Sequence, residues 1–136
     1  MDRVIVIPVD ELTSATVTRA RGAEAFESLM RRLEDIRPRA CTVLVDVSHA
    51  RLLSGSFLDE LVARMSKRVP DISPKIGFLV GSQEEVARLE RVCSLRRVEC
   101  IYQYGANASL KKTRIRRRSN RQIEEYPGPF FDLSDR

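Results

Sequence analysis

One stretch of the sequence, residues 41–61, constrains the fold more than any other. Residues 41–47 are nearly all apolar and include three β-branched valines, which is typical of a strand buried on both faces. After a loop over residues 49–53, Phe57, Leu61 and Met65 recur at helical spacing. A buried strand that passes through a short loop into an amphipathic helix predicts a layered α/β domain.

The rest of the chain repeats this alternation. Residues 3–9 predict a first strand with Pro8 at an edge or an end, and residues 10–18 form either a loop or a short strand. Residues 19–37 predict an amphipathic helix that ends before Pro38. A further strand is predicted over residues 75–81. Ser82 and Glu85 have the spacing of a capping box, which predicts the start of a helix, and a last strand is predicted over residues 97–104.

Length and composition fit one cytoplasmic domain with a tail. The 136 residues suffice for a single core, and no apolar run approaches the roughly 20 residues that cross a bilayer. The strand-like start of the chain is too short for a secretory signal. Cys41, Cys93 and Cys100 lack the spacing of a metal site, so we interpret them as buried free thiols.

The positive charge of the chain is concentrated near its end. Eight of the 24 basic residues but only four of the 19 acidic ones lie in residues 105–136. We therefore predict a domain over residues 1–104 and a basic, flexible extension over residues 105–136. The proline-punctuated aromatic piece at 126–133 either folds back onto the domain or acts as a docking motif.

The start of the second helix is the candidate site. The first N–H groups of a helix lack internal partners, and serine hydroxyls or a bound anion can meet them. Ser54, Gly55 and Ser56 lie at this position, and we expect Asp59 and Glu60 to lie in the first turn, where they complement the helix dipole. Ser54 either caps the helix or, like Ser56, binds or accepts an anion. Phe57 is expected in the core.

Enzymatic chemistry finds little support in the sequence. Ser56, His49 and Asp46 offer the residue types of a hydrolase triad, but the Gly-x-Ser-x-Gly elbow is absent. No phosphate-cradling glycine motif occurs, and nothing indicates a cofactor or a metal. We therefore expect a protein that is not an enzyme.

The strand-to-helix stretch resembles the signature of STAS domains, the fold of anti-sigma factor antagonists, and in particular the STAS-like domains of unknown function. The matching residues are Val45-Asp46-Val47 and 56–61 (Ser-Phe-Leu-Asp-Glu-Leu), with weaker support from residues 75–80, and the resemblance covers residues 3–104. It implies a mixed sheet of four or five strands with about three helices, mainly on one face. In that family a serine before this helix is phosphorylated by a kinase, but the corresponding position here is Gly55.

The resemblance implies a regulatory protein-interaction module that docks a partner through residues 49–61, and it suggests a histidine-kinase-like ATPase as that partner. The partner-binding, anion-binding or phosphorylation candidates are Ser54, Gly55, Ser56, Asp59, Asp46 and His49. The alternative is nucleic-acid binding by closely spaced cations that neutralise phosphates. Its candidates are Lys111, Lys112, Arg114, Arg116, Arg117, Arg118 and Arg121.

Overall fold

Strands and helices alternate along most of the described part of the chain. The structure, a computed structural model, describes residues 3–35, 41–68, 75–105 and 108–113. The elements are β1 (Arg3–Pro8), a 3-10 turn (Val9–Glu11), α1 (Arg19–Glu34), β2 (Cys41–Asp46), α2 (Gly55–Arg68), β3 (Lys75–Val80), α3 (Gln83–Arg96), β4 (Ile101–Tyr104) and β5 (Lys111–Lys112). Within these ranges no helix is both long and apolar enough to cross a membrane.

The strands form one mixed sheet in the order β1-β2-β3-β4-β5. The first four are parallel, and β5 is antiparallel to β4. Because successive crossovers of one hand move along the sheet in one direction, α1, α2 and α3 lie side by side on the same face. The predicted α/β class is confirmed, and the mixed sheet of five strands with three helices agrees with the expected four or five strands and about three helices.

The core lies between the sheet and this helix layer. Phe26 of α1, Phe57 of α2 and Phe78 of β3 are fully buried there, together with Val43 and Val45 of β2. The expected core position of Phe57 is therefore correct. β2 has a strand on either side and is buried along nearly its whole length, as its apolar sequence predicts.

α1 and α2 approach each other closely at Gly22. A Cβ built on this residue would lie 2.7 Å from the carbonyl oxygen of Phe57 and 2.9 Å from the Cβ of Glu60. Only glycine fits between the two helices without a backbone shift. This contact places the first turn of α1 beside the first two turns of α2.

The helix ends differ in part from the sequence predictions. The capping box of α3 is present, since the Ser82 hydroxyl accepts from the N–H of Glu85 at 3.1 Å. Asp59 and Glu60 lie in the second turn of α2, not the first, because the helix begins at Gly55. Arg97 does not begin a strand; it ends α3 in a left-handed conformation, with φ 57°.

β5 was not predicted, because two lysines give no apolar pattern. Thr113, directly after it, is buried; its hydroxyl accepts from the N–H of Cys100 at 3.0 Å, and its own N–H donates to the Cys100 carbonyl at 2.9 Å. The sheet therefore extends past the boundary predicted at residue 104. Residues 114–136, the larger part of the predicted extension, lie outside the described residues.

Candidate functional site

The carboxyl ends of the four parallel strands and the first turns of the three helices share one edge of the molecule. Thr18, Ser54 and Ser82 cap α1, α2 and α3, each through a hydroxyl that accepts a backbone N–H. Loops held on a rigid scaffold often carry the binding residues of a protein. The predicted site at the start of α2 lies in the middle of this edge.

Ser54 is the N-cap of α2. Its hydroxyl oxygen accepts from the N–H of Phe57 at 3.0 Å, and its hydroxyl proton is donated to the carbonyl of Val17. Its backbone N–H donates to the Thr16 carbonyl at 3.0 Å. Of the two roles that the sequence leaves open for Ser54, the structure shows the capping role. The hydroxyl group acts both as a hydrogen-bond acceptor and as a donor.

The segment before α2 is held from two sides. On one side, the Thr16 hydroxyl donates to the carbonyl of Leu52. On the other, Arg88 of α3 donates from Nη1 to the carbonyl of Leu53 at 2.8 Å, while the Leu53 side chain is buried in the core. These bonds tie the loop after β1, the loop before α2 and helix α3 into one hydrogen-bonded unit.

The surface above this unit is exposed and partly apolar. Gly55 and Ser56, the first two residues of α2, are exposed, and a Cβ built on Gly55 meets no atom within 4 Å apart from its chain neighbours and the backbone of its own helix. Val17 and Leu52 flank this helix start and are 40% and 63% exposed. We call Val17, Leu52, Gly55 and Ser56 the α2 entry patch.

The hydrolase triad considered from the sequence is not assembled. The Asp46 carboxylate accepts from the N–H and the hydroxyl of Ser48, at 2.9 and 2.5 Å, and forms a local turn after β2. His49 is exposed in that turn, and no hydrogen bond of the described part of the chain joins it to Asp46 or Ser56. The described residues also contain no group of three or more potential metal ligands.

The Asp59 side chain connects all three helices through hydrogen bonds with two arginines. Its carboxylate accepts from Nε and Nη2 of Arg96 on α3 at 2.6 and 2.7 Å and from Nη1 of Arg19 on α1 at 2.6 Å. The bonds from Arg96, and then from Arg19, lower the pKa of Asp59 to about 2 against the opposing effect of burial. Asp59 is thus already paired, which weakens its candidacy as a ligand residue.

Glu60, its neighbour, has its own partners. Oε2 accepts from Nε of Arg64 at 2.7 Å, and Oε1 lies 3.6 Å from Nη1 of Arg19. The bond from Arg64 is the main reason why the pKa of Glu60 is lowered. Asp59 and Glu60 therefore help to hold the helix layer together beneath the α2 entry patch.

Sequence reasoning found Gly55 and Ser56 but missed the other half of the patch. Leu52 is followed directly by Leu53, and the sequence does not indicate which of the two leucines is buried; the structure buries Leu53 and exposes Leu52. Val17 could not have been placed, because the hydrogen bonds that hold its loop beside the start of α2 join Thr16 and Val17 to Leu52 and Ser54, which are distant in the sequence. Of the nucleic-acid candidates, Lys111 and Lys112 are exposed on β5; Arg114, Arg116, Arg117, Arg118 and Arg121 lie outside the described residues.

Comparison with protein-family models, with curated proteins and with solved structures finds no match to this chain.

Proposed function

We propose that the chain is a cytoplasmic, non-enzymatic regulatory module that docks a protein partner through the α2 entry patch. One observation carries the proposal: two exposed apolar side chains, Val17 and Leu52, flank an exposed helix start on loops fixed to each other by hydrogen bonds. A prearranged patch loses little conformational entropy on binding.

The chemistry of the patch suits a protein surface better than a small substrate. Val17 and Leu52 offer apolar area, and the N–H groups of Gly55 and Ser56 lie at the positive end of the α2 dipole. A partner with an apolar contact beside a carboxylate or a backbone carbonyl would match both features. The STAS resemblance supports a kinase-like ATP-binding protein as that partner.

Phosphorylation would act at Ser56 rather than at Ser54. The Ser54 hydroxyl holds the cap and the neighbouring loop, whereas Ser56 is exposed. A phosphate on Ser56 would add about −1.5 to −2 charges at the helix start, where the dipole tolerates them, but would repel an acidic partner group. We therefore propose Ser56 as the regulated residue and Gly55, also exposed, as part of the docking surface.

Nucleic-acid binding is the alternative. Lys111 and Lys112 are consecutive in a strand, so their side chains leave opposite faces of the sheet and do not form one basic surface. The described residues therefore favour the protein-docking proposal, and nucleic-acid binding becomes an outcome of its test.

The test is quantitative affinity capture from the native host with the full chain and three variants. Leu52→Asp and Ser56→Asp should lose a set of proteins that the wild type retains. Leu95→Asp is the matched control, because Leu95 is exposed near the far end of α3. Purified partner should then bind the wild type and the Leu95→Asp variant equally.

Two results would contradict the proposal. In the first, the proteins retained by the wild type are equally retained by Leu52→Asp and Ser56→Asp. In the second, retention requires nucleic acid, disappears on nuclease treatment and raised salt, and is abolished by deleting residues 114–136. The second result would favour the alternative function.

A further inference from the structure

The two edges of the sheet differ in their protection against pairing with another strand. β5, at one edge, has only two residues, and both are exposed lysines. β1, at the other edge, has six residues and only valine and isoleucine between Arg3 and Pro8. Short strands and lysines discourage strand addition, whereas a long apolar edge favours it.

The exposure of β1 follows from this edge position. On the sheet face opposite the helices, Val4 and Val6 are 50% and 45% exposed. Their neighbours in register on β2, Thr42 and Leu44, are buried. Among the described residues β1 pairs only with β2, so alternate N–H and C=O groups of β1 point away from the sheet.

We propose that β1 is an interaction surface for a second copy of this chain, with the two β1 strands antiparallel about a two-fold axis perpendicular to the sheet. This symmetry keeps both helix layers on the same side. Side chains opposite each other in an antiparallel pair share a face, so odd-numbered residues must lie opposite odd-numbered ones.

Pro8 selects the register. Centring the axis on Ile5 places Val4 opposite the second copy's Val6, and Arg3 opposite its Ile7, so the two Arg3 side chains stay apart. Pro8, which has no N–H, then falls outside the paired residues. Centring on Val6 would bring Pro8 into the ladder, opposite Val4. The sequence of β1 is therefore self-complementary in the register centred on Ile5. In this register Val4 of each copy lies opposite Val6 of the other on the exposed face.

The dimer is expected to be weak and concentration-dependent. Pairing over residues 3–7 buries less than the roughly 1,000 Å² that marks a stable complex. Sedimentation over about a hundredfold range of protein concentration should show the average mass rising from the 15.5 kDa of one chain toward twice that value.

Val6→Lys tests the surface, and Leu110→Lys is its matched control. Leu110 is 42% exposed close to the opposite edge of the sheet, so both changes put a lysine on an exposed apolar position. Val6→Lys should remain a monomer at every concentration, while Leu110→Lys should associate as the wild type does. Amide hydrogen exchange should show protection of residues 3–7 that grows with concentration in the wild type and is lost in Val6→Lys.

The proposal is overturned if the wild type keeps a constant mass of one chain over this range. It is also overturned if Val6→Lys associates as strongly as the wild type, or if Leu110→Lys disrupts association equally. Circular dichroism melting of both variants verifies that each is folded before its mass is interpreted.

Discussion

The Asp59 carboxylate receives a two-point hydrogen bond from the Arg96 guanidinium, 2.6 Å from Nε to Oδ1 and 2.7 Å from Nη2 to Oδ2. This pair joins the second turn of α2 to the last turn of α3, and the contact from Arg19 adds α1 to it. The Asp59 side chain is only 16% exposed, so its charge is partly withdrawn from water. Asp59 therefore links α1, α2 and α3 through side-chain hydrogen bonds.

Asp59→Asn should lower the free energy of unfolding by about 1 to 2 kcal/mol. The amide keeps the size of the side chain but removes the charge that both arginines share, and the exposure of those arginines limits the loss. Urea unfolding measures the change. Glu27→Gln is the control, since Glu27 is exposed on α1, and it should leave stability within about 0.5 kcal/mol. Equal stability of the Asn variant and the wild type would contradict the prediction.

Acid should remove this stabilisation in a defined pH range. Because the pKa of Asp59 is lowered from 3.8 to about 2 in the folded state, the unfolded state binds the proton first as the pH falls. The contribution is complete above the unfolded pKa and is lost as the pH falls through the folded one. Unfolding experiments between about pH 5 and pH 2 should show a shallower pH dependence for Asp59→Asn than for the wild type. Parallel curves would rule out this role.

Ser54→Ala and Ser56→Ala should differ although both residues lie at the start of α2. Ser54→Ala removes the helix cap and the bond to Val17, which we expect to lower stability by about 1 to 2 kcal/mol. Ser56→Ala changes an exposed hydroxyl and should cost no more than about 0.5 kcal/mol. Thermal unfolding of the two variants compares them directly, and similar losses would be incompatible with the capping geometry.

Gly77→Ala should destabilise the sheet, and Gly55→Ala should not. A Cβ on Gly77 would lie 2.3 Å from both the carbonyl oxygen and Cγ1 of Ile101, so β3 and β4 would have to move apart. We expect a loss of about 2 to 3 kcal/mol. Gly55 has open space at the Cβ position and no left-handed backbone, so alanine there should be neutral or stabilise by up to about 1 kcal/mol. Chemical unfolding of both variants measures the contrast.

The sequence alone predicted the elements that have strong local signals. The apolar run around Val43 predicted a central buried strand, and Ser82 and Glu85 predicted the start of α3. Pro8 predicted an edge or an end of a strand, and it lies at the end of β1, which is an edge strand. These features follow from side-chain periodicity and from the chemistry of helix ends, both of which are local. The exposed helix start at Gly55 and Ser56 was likewise found by its residue types.

Tertiary structure decided what depends on contacts between distant segments. The sequence predicts Asp59 in the first turn of α2 as a complement to the helix dipole, whereas in the structure it pairs with Arg19 and Arg96, 40 and 37 residues away in the sequence. β5 forms because the backbone and hydroxyl of Thr113 bond to Cys100, which no local pattern reveals. Hydrogen bonds and ion pairs of this kind form only when the folded sheet and helix layer bring distant side chains within reach of each other. The periodicity of buried residues, in contrast, depends on residues that are close together in the sequence.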